Sequence, residues 1–150
     1  MAEKAILDKK KEEESKKRVK DGWIRVGMMI EALAISGETA DSALRKHLEK
    51  MEREKNILVY KKDFRGLEEV DTPLPNVPKG YSQVVDLEMV AENFDRLVYI
   101  VMNYGPSAIE IIEPRSIKID FGEAQGILNS LASLIHTYAA MGAGGMLVST

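Results

Sequence analysis

The sequence predicts an α+β protein in which a small antiparallel or mixed sheet carries helices on one face. Two kinds of periodicity lead to this class. Apolar residues recur at spacings of three and four in some segments, as in amphipathic helices, and alternate with polar residues in others, as in half-buried strands. Helical and extended segments are interspersed, in the order α–α–β–β–α–β–(β)–α, and several connections are short, which favours a layered α+β fold.

Length and composition set the first limits on function. The 150 residues suit one domain or a small domain with an appendage, and 45% hydrophobic with 30% charged residues is typical of a globular protein. The net charge of -3 argues against a surface made for nucleic acid throughout. The absence of cysteine excludes disulfides, thiolate catalysis and zinc–thiolate sites.

The N-terminal sequence gives the expected location. Charged residues occupy the place where a signal peptide needs an apolar core, and no run reaches about 18 consecutive apolar residues. We therefore expect a cytoplasmic protein without a membrane segment.

The N-terminal third predicts a charged helix followed by a helical hairpin, together a unit of residues 1–55. A helix over 16–35 is indicated by apolar residues spaced by four, three, four and three, and a second helix is expected over 40–55. Gly37 ends the first helix and Thr39 caps the second. The apolar residues of the first helix are Val19, Trp23, Val26, Ile30 and Leu33.

The middle of the chain predicts strands and one further helix. Residues 57–64 and 81–92 alternate apolar and polar side chains, which is typical of half-buried strands. Three prolines and a glycine make 72–80 a connection rather than an element. Asn93 can cap a helix over 94–104.

The stretch NYGPSAIEIIEP, from Asn103 to Pro114, contains two glutamates that could be considered as a general acid and a general base. Gly105 suits the left-handed position after a helix, and Pro114 closes a strand over 107–113. Alternate residues of a strand point to opposite faces, so an offset of three separates Glu110 from Glu113. We interpret the stretch as helix end, strand and strand end, with a ligand-binding loop as the alternative.

The last helix has the clearest predicted start. Asp120 is the cap, and Glu123 can complete a capping box with it, after a short extended piece at 117–119. The glycine-rich segment 142–145 ends the helix, so we expect a sheet domain over 56–141 and a flexible tail over 142–150. The apolar stripe of this helix comprises Phe121, Ala124, Leu128, Leu131, Ile135 and Tyr138.

The same helix has an unusual composition, because no charged residue occurs from Ala124 to Thr150. Interface cores are depleted in charge, so the segment predicts a homo-oligomer or partner interface. Modest exposure by chance is the alternative, and membrane contact is disfavoured by the polar stripe and the lack of basic residues. The expected apolar anchors are Leu128, Leu131, Ile135 and Tyr138, with Asn129 and His136 giving specificity.

A second candidate surface is the basic segment 43–66, where a helix runs into a β-ribbon. This arrangement resembles a winged helix, so a DNA-binding transcription regulator is the alternative function. Four acidic residues accompany the basic ones. The residues that would contact nucleic acid are Arg45, Lys46, Lys50, Arg53, Lys61 and Lys62.

Other candidate chemistry is weak. His47 and His136 lie on different predicted helices, each without a partner at metal-ligand spacing, and the GAGG segment lacks the features of a phosphate loop. We therefore expect no cofactor and no metal site. No reactive constellation emerges, so the leading hypothesis is a non-enzymatic oligomerisation or protein-interaction module, with a small-molecule sensor using the turn at 104–108 as a third class.

The segment VVDLEMVAENFDRLVYIVMNYGPSAIEIIEP, residues 84–114, resembles the β-α-β element of ferredoxin-like modules. It also resembles the C-terminal extension of WYL-type transcription regulators, although a W-Y-L triplet is missing. These resemblances imply a ligand-sensing or oligomerising module. The whole chain resembles conserved archaeal proteins of unknown function, and that resemblance assigns no functional residues.

Overall fold

A computed structural model describes residues 5–141, apart from the side chains of Pro73 and Leu74. The predicted tail at 142–150 lies outside the described residues. The α+β class is confirmed. The strands are β1 (Ile6–Leu7), β2 (Ile24–Ala34), β3 (Ile57–Phe64), β4 (Glu68–Leu74), β5 (Val77–Ala91) and β6 (Ala108–Glu113). The helices are α1 (Lys9–Lys20), α2 (Gly37–Glu52), α3 (Phe94–Tyr104) and α4 (Phe121–Ala140).

Within residues 5–141, six strands form one antiparallel sheet: five lie in the order β1-β3-β5-β2-β6, and β4 pairs with β5 outside this order. The two longest strands, β2 and β5, pair without interruption from Ile24 opposite Ala91 to Ala34 opposite Tyr81. On its other side β5 pairs first with β4 and then with β3. The sheet therefore contains strands from both sides of the predicted boundary at residue 55, with β2 before it and β3 and β5 after it.

Each of the two central helices connects a pair of parallel strands that has a third strand between them. β2 and β3 are both antiparallel to β5, and α2 connects them. β5 and β6 are both antiparallel to β2, and α3 connects them. The result is two interlocked β-α-β units, in which the central strand pair belongs to both units.

The core lies on the face of the sheet that α2 and α3 cover. Alternation places every second residue of the central strands on this face, where it packs against the helices. The predicted packing of helices on one face is thus confirmed for α2 and α3. The core includes Ile24, Val26, Met28 and Ile30 from β2, Val85, Leu87 and Met89 from β5, Leu44, Leu48 and Met51 from α2, and Leu97, Ile100 and Tyr104 from α3.

The predicted helix over 16–35 is wrong, because α1 ends at Lys20 and Ile24 begins a strand. The segment fits both periodicities. Its helical spacing of three and four is genuine, but the alternation from Ile24 through Val26 to Ile30 is the pattern that the structure uses. Pairing with β5 along eleven residues satisfies the backbone of the segment and buries these side chains together.

The prediction of 72–80 as a connection is also wrong, since β4 and β5 form a hairpin there with its turn at Pro75–Asn76. Asn76 has a φ of 70°, a left-handed conformation that asparagine tolerates. Within the part of the chain that the structure describes, β4 pairs with β5 alone, and prolines are tolerated on such a one-sided strand because it needs fewer amide donors. Residues 117–119 form no strand.

Other local predictions are confirmed. β3 covers residues 57–64, and Asn93 caps α3 by accepting a hydrogen bond from the Arg96 amide at 2.8 Å. Gly105 ends α3 with a φ of 57°. The second helix begins earlier than expected, because Ser36 rather than Thr39 is its cap.

The Ile30→Ala and Leu33→Ala variants distinguish the strand from the predicted helix. Both residues would face the core of a helix over 16–35, whereas in β2 Ile30 is 2% exposed and Leu33 is 51% exposed. We expect Ile30→Ala to lower the free energy of unfolding by about 2–4 kcal/mol, because it leaves a cavity in the core. Leu33→Ala should change it by about 0.5 kcal/mol or less. Urea unfolding measures both values, and equal losses would contradict the strand assignment.

Candidate interaction surface

Helix α4 packs on α3 rather than on the sheet. Asp120 caps it by accepting a hydrogen bond from the Glu123 amide at 2.8 Å, which confirms the predicted start. The Glu123 carboxylate does not complete the expected capping box. It accepts a hydrogen bond from the Asp95 amide at 3.2 Å and so joins the start of α4 to the start of α3. Ile127 is 9% exposed and Leu134 is half-buried.

The predicted apolar anchors of α4 are exposed. We call these residues together with Phe121 the α4 stripe. Leu128 is 62% exposed and Ile135 is 52% exposed, although side chains of this kind are usually buried. The helix therefore uses a different part of its surface to contact α3. The five members of the α4 stripe, with their exposed fractions, are Phe121 86%, Leu128 62%, Leu131 42%, Ile135 52% and Tyr138 45%.

The remaining surface of α4 is polar and uncharged beyond Glu123. Asn129 and His136, the predicted specificity residues, are exposed. At about 100° per residue, Ser133 lies on the side of the helix opposite the centre of the α4 stripe. The helix thus has separate α3-facing, apolar exposed and polar exposed sides.

Strand β6 is a second exposed apolar element. It lies at the edge of the sheet and pairs with β2. In this pairing Ile109 is opposite Met28 and Ile111 is opposite Val26. All three isoleucines of β6 are exposed, Ile109 to 42%, Ile111 to 45% and Ile112 to 44%. A register shift between Arg25 and Val26 marks a bulge, and the Ile112 side chain approaches Gly27 on the other face of the sheet.

A polar network joins α1 to the sheet face opposite the core. The Arg25 guanidinium donates to Glu113 Oε1 at 2.7 Å and to the Ser15 hydroxyl at 3.0 Å, and it lies 5.1 Å from the centre of the Tyr60 ring. The Tyr60 hydroxyl donates to Glu88 at 2.8 Å. Ser15 is fully buried. The network anchors the charged helix and fixes the end of β6 through Glu113.

Charge and burial shift two pKa values in this network. Burial raises the pKa of Tyr60 to about 12, and the hydrogen bond to Glu88 adds to the increase, while Arg25 opposes it. Burial lowers the pKa of Arg25, but the hydrogen bonds to Glu113 and Tyr60 outweigh it and raise the pKa overall. Arg25 therefore stays charged, and Glu113 is used in a structural ion pair.

Glu110 and Glu113, the two glutamates of the stretch NYGPSAIEIIEP, are not brought together. Glu113 pairs with Arg25, whereas Glu110 lines a groove of about 350 Å³ on the open face of the sheet, around Gly27. Asp86 also lines this groove and pairs with Arg65. Four carboxylates and one cation, Lys61, line this groove.

The predicted nucleic-acid residues do not form one basic surface. Arg45 pairs with Asp41 at 2.9 Å, and this bond, together with one from Gln83, lowers the pKa of Asp41. Two further cations have carboxylate partners, Lys61 with Glu88 at 3.4 Å and Lys62 with Glu52 at 2.9 Å. Lys61 and Lys62 are adjacent in a strand and so point to opposite faces. Lys46, Lys50 and Arg53 lie on α2 and at its C-terminal end. Nucleic-acid binding stays a prediction.

The two histidines are also separate. His47 Nε2 lies 2.8 Å from the Tyr104 carbonyl oxygen, which joins α2 to the end of α3, and His136 is exposed on α4. Within residues 5–141, no three histidine or carboxylate side chains are grouped in a way that could hold a metal ion.

The exposure of β6 is the feature that sequence reasoning missed. The sequence AIEIIE of β6 does contain an indication of this exposure: it places isoleucines on both faces of the strand, with Ile109 on one face and Ile112 on the other. Strands that are apolar on both faces are usually covered on both faces. The Arg25 network had no comparable signal, since its five side chains come from distant parts of the chain.

The Tyr60→Phe variant tests the network through the pH dependence of stability. The folded-state pKa of about 12 is above the ordinary value of about 10, so the contribution of Tyr60 is present below pH 10 and is lost as pH rises toward 12. We expect Tyr60→Phe to flatten the alkaline decline in the free energy of unfolding, measured by urea titrations between pH 9 and 12. The control is Tyr99→Phe at the surface, and equal slopes in both variants would contradict the assignment.

Comparison with known proteins completes the description. No helix within residues 5–141 has the length and apolar character that a membrane crossing requires. Neither the curated proteins nor the solved structures contain a match to this chain. The sequence model of the MJ0538 family matches residues 25–141, a range that runs from the start of β2 to the end of α4 and covers well over half of the chain. The chain therefore belongs to the MJ0538 family.

Proposed function

We propose that this protein is a cytoplasmic, non-enzymatic assembly module that associates with a second copy of itself through the α4 stripe. One observation carries the proposal: five large apolar side chains are exposed along a single side of α4. Contiguous exposed apolar surface is uncommon on soluble monomers and is typical of interaction sites.

The spacing within the α4 stripe supports a helical partner. Leu128, Leu131, Ile135 and Tyr138 follow one another at intervals of three, four and three, which is the seam of a helix pair packed with knobs in holes. Ile127 is buried within the described chain and does not belong to this seam. A second α4 helix supplies the matching seam.

The charge distribution also supports self-association. Two copies of a basic or acidic helix would repel each other, but α4 carries no charge after Glu123. Asn129 and His136 lie four and three residues from Ser133, on the polar side of α4, so the proposed contact depends on the apolar residues.

The topology supports a ferredoxin-like classification of the core, which we include in the proposal. The elements β2, α2, β3, β5, α3 and β6 follow a β-α-β-β-α-β order, and their strands lie as β3-β5-β2-β6. α1, β1, β4 and α4 are additions to this core. Because folds of this kind serve many functions, the functional argument depends on the surface of α4.

The Leu131→Asp variant tests the proposed interface. We expect the wild-type protein to be a dimer in size-exclusion chromatography with light scattering, and Leu131→Asp to raise the dissociation constant at least 100-fold, because a buried charge is costly in an apolar interface. Leu131 is 42% exposed, so the thermal midpoint of the isolated monomer should change little.

The matched control is Ser133→Asp, which adds the same charge to the opposite side of the same helix. This variant should remain dimeric. A monomeric wild-type protein at every concentration, or equal dissociation by both variants, would contradict the proposal. If the Leu131→Asp protein is unfolded as soon as it is monomeric, Leu131 belongs to the core of the monomer instead.

A further inference from the structure

The outer edge of β6 has backbone groups that the described part of the chain leaves unpaired by any other strand. β6 is at the end of the strand order, and its pairing with β2 uses only one of its two edges. Five of its six residues are exposed. Unpaired amides and carbonyls on an apolar edge strand are a template for a further strand.

We infer that β6 pairs antiparallel with β6 of a second copy, so that the two sheets join across a twofold axis. This inference rests on the proposed self-association and names the second surface that it uses. The join adds main-chain hydrogen bonds, which give affinity and direction to the contact between the α4 stripes. A symmetric dimer requires a self-complementary surface, and an antiparallel strand pair provides it.

The two edges of the sheet differ in how they are protected. At the opposite edge, β1 has only two residues and is followed directly by the charged helix α1, and β4, which also pairs on one side, contains Glu68, Glu69, Asp71 and a proline. Short edge strands and charged coverings prevent pairing with other chains. β6 is longer, contains three isoleucines and has no lysine. Its bulge lies at one end, at Ile112, so Ala108–Ile111 remains a regular strand.

The sequence of β6 limits the register of such a pair. A twofold axis places one residue opposite itself in the partner. An axis at Glu110 would set two carboxylates face to face, and like charges directly opposite are destabilising. An axis at Ile109 or Ile111 instead sets isoleucine against isoleucine, on the face of the sheet that holds the core residues Met28 and Val26.

The available area fits one dimer interface. The exposed parts of the α4 stripe and of Ile109 and Ile111 amount to roughly 700 Å² per copy, close to the value of about 800 Å² per partner in a stable interface. α4 follows β6 after a connection of seven residues, 114–120, so both surfaces belong to the same end of the chain. Each surface alone would be small for a stable contact.

Single-cysteine variants test the strand pairing, because the wild-type protein contains no cysteine. Residues directly opposite in an antiparallel pair have Cα atoms about 4.5–5.5 Å apart, within the range of a disulfide. We expect either Ile109→Cys or Ile111→Cys to form an intermolecular disulfide in a glutathione buffer, detected as a dimer on a non-reducing gel and lost with reductant. Only one of them should react, since a residue displaced from the axis by two positions lies more than about 7 Å from its own copy.

The matched control is Glu110→Cys, which should stay reduced in the same dimeric protein. A disulfide at residue 110, or none at residues 109 and 111 in a protein that is dimeric by mass, would overturn the strand pairing and leave the α4 interface standing. A monomeric wild-type protein would remove both. Wild-type mass and the disulfide pattern therefore separate the two claims.

Discussion

The uninterrupted pairing of β2 with β5 is the constraint on which the rest of the structure depends. Eleven consecutive residue pairs fix the alternation of both strands, so Val26 and Leu87 face the helices while Arg25 and Glu88 face the other side. Each strand of the pair also begins a β-α-β unit, which places α2 and α3 over the same core. With this register fixed, Arg25 is held where it can join Ser15 on α1 to Glu113 on β6.

The same register leaves some apolar side chains of the sheet without a covering helix. α2 and α3 cover the centre of the sheet, and the edge strand β6 extends past them, with Ile109 and Ile111 in line with core residues but about half exposed. α4 packs on α3, and the residues of the α4 stripe stay exposed. One copy of the described chain thus leaves many apolar side chains of β6 and α4 exposed to solvent. Burial of these side chains is the physical basis for the proposed self-association.

Sequence patterns predicted the elements whose signals are local. The Asn93 cap, Gly105 and the Asp120 cap each lie within one turn of the helix end that they define. β2 was predicted as a helix because its apolar residues satisfy two periodicities, and only the distant partner β5 selects the strand. The exposed anchors of α4 were named from composition, whereas the exposure of β6 and the Arg25 network depend on tertiary contacts that no spacing encodes.

Hydrogen exchange is the measurement that tests this account most directly, because it reports on the backbone of β6 and α4 in the unmodified protein. If two copies join as proposed, the amides of β6 and of the α4 stripe become more protected as protein concentration rises through the dissociation constant. Protection of β6 and α4 that is weak and independent of concentration would contradict the account.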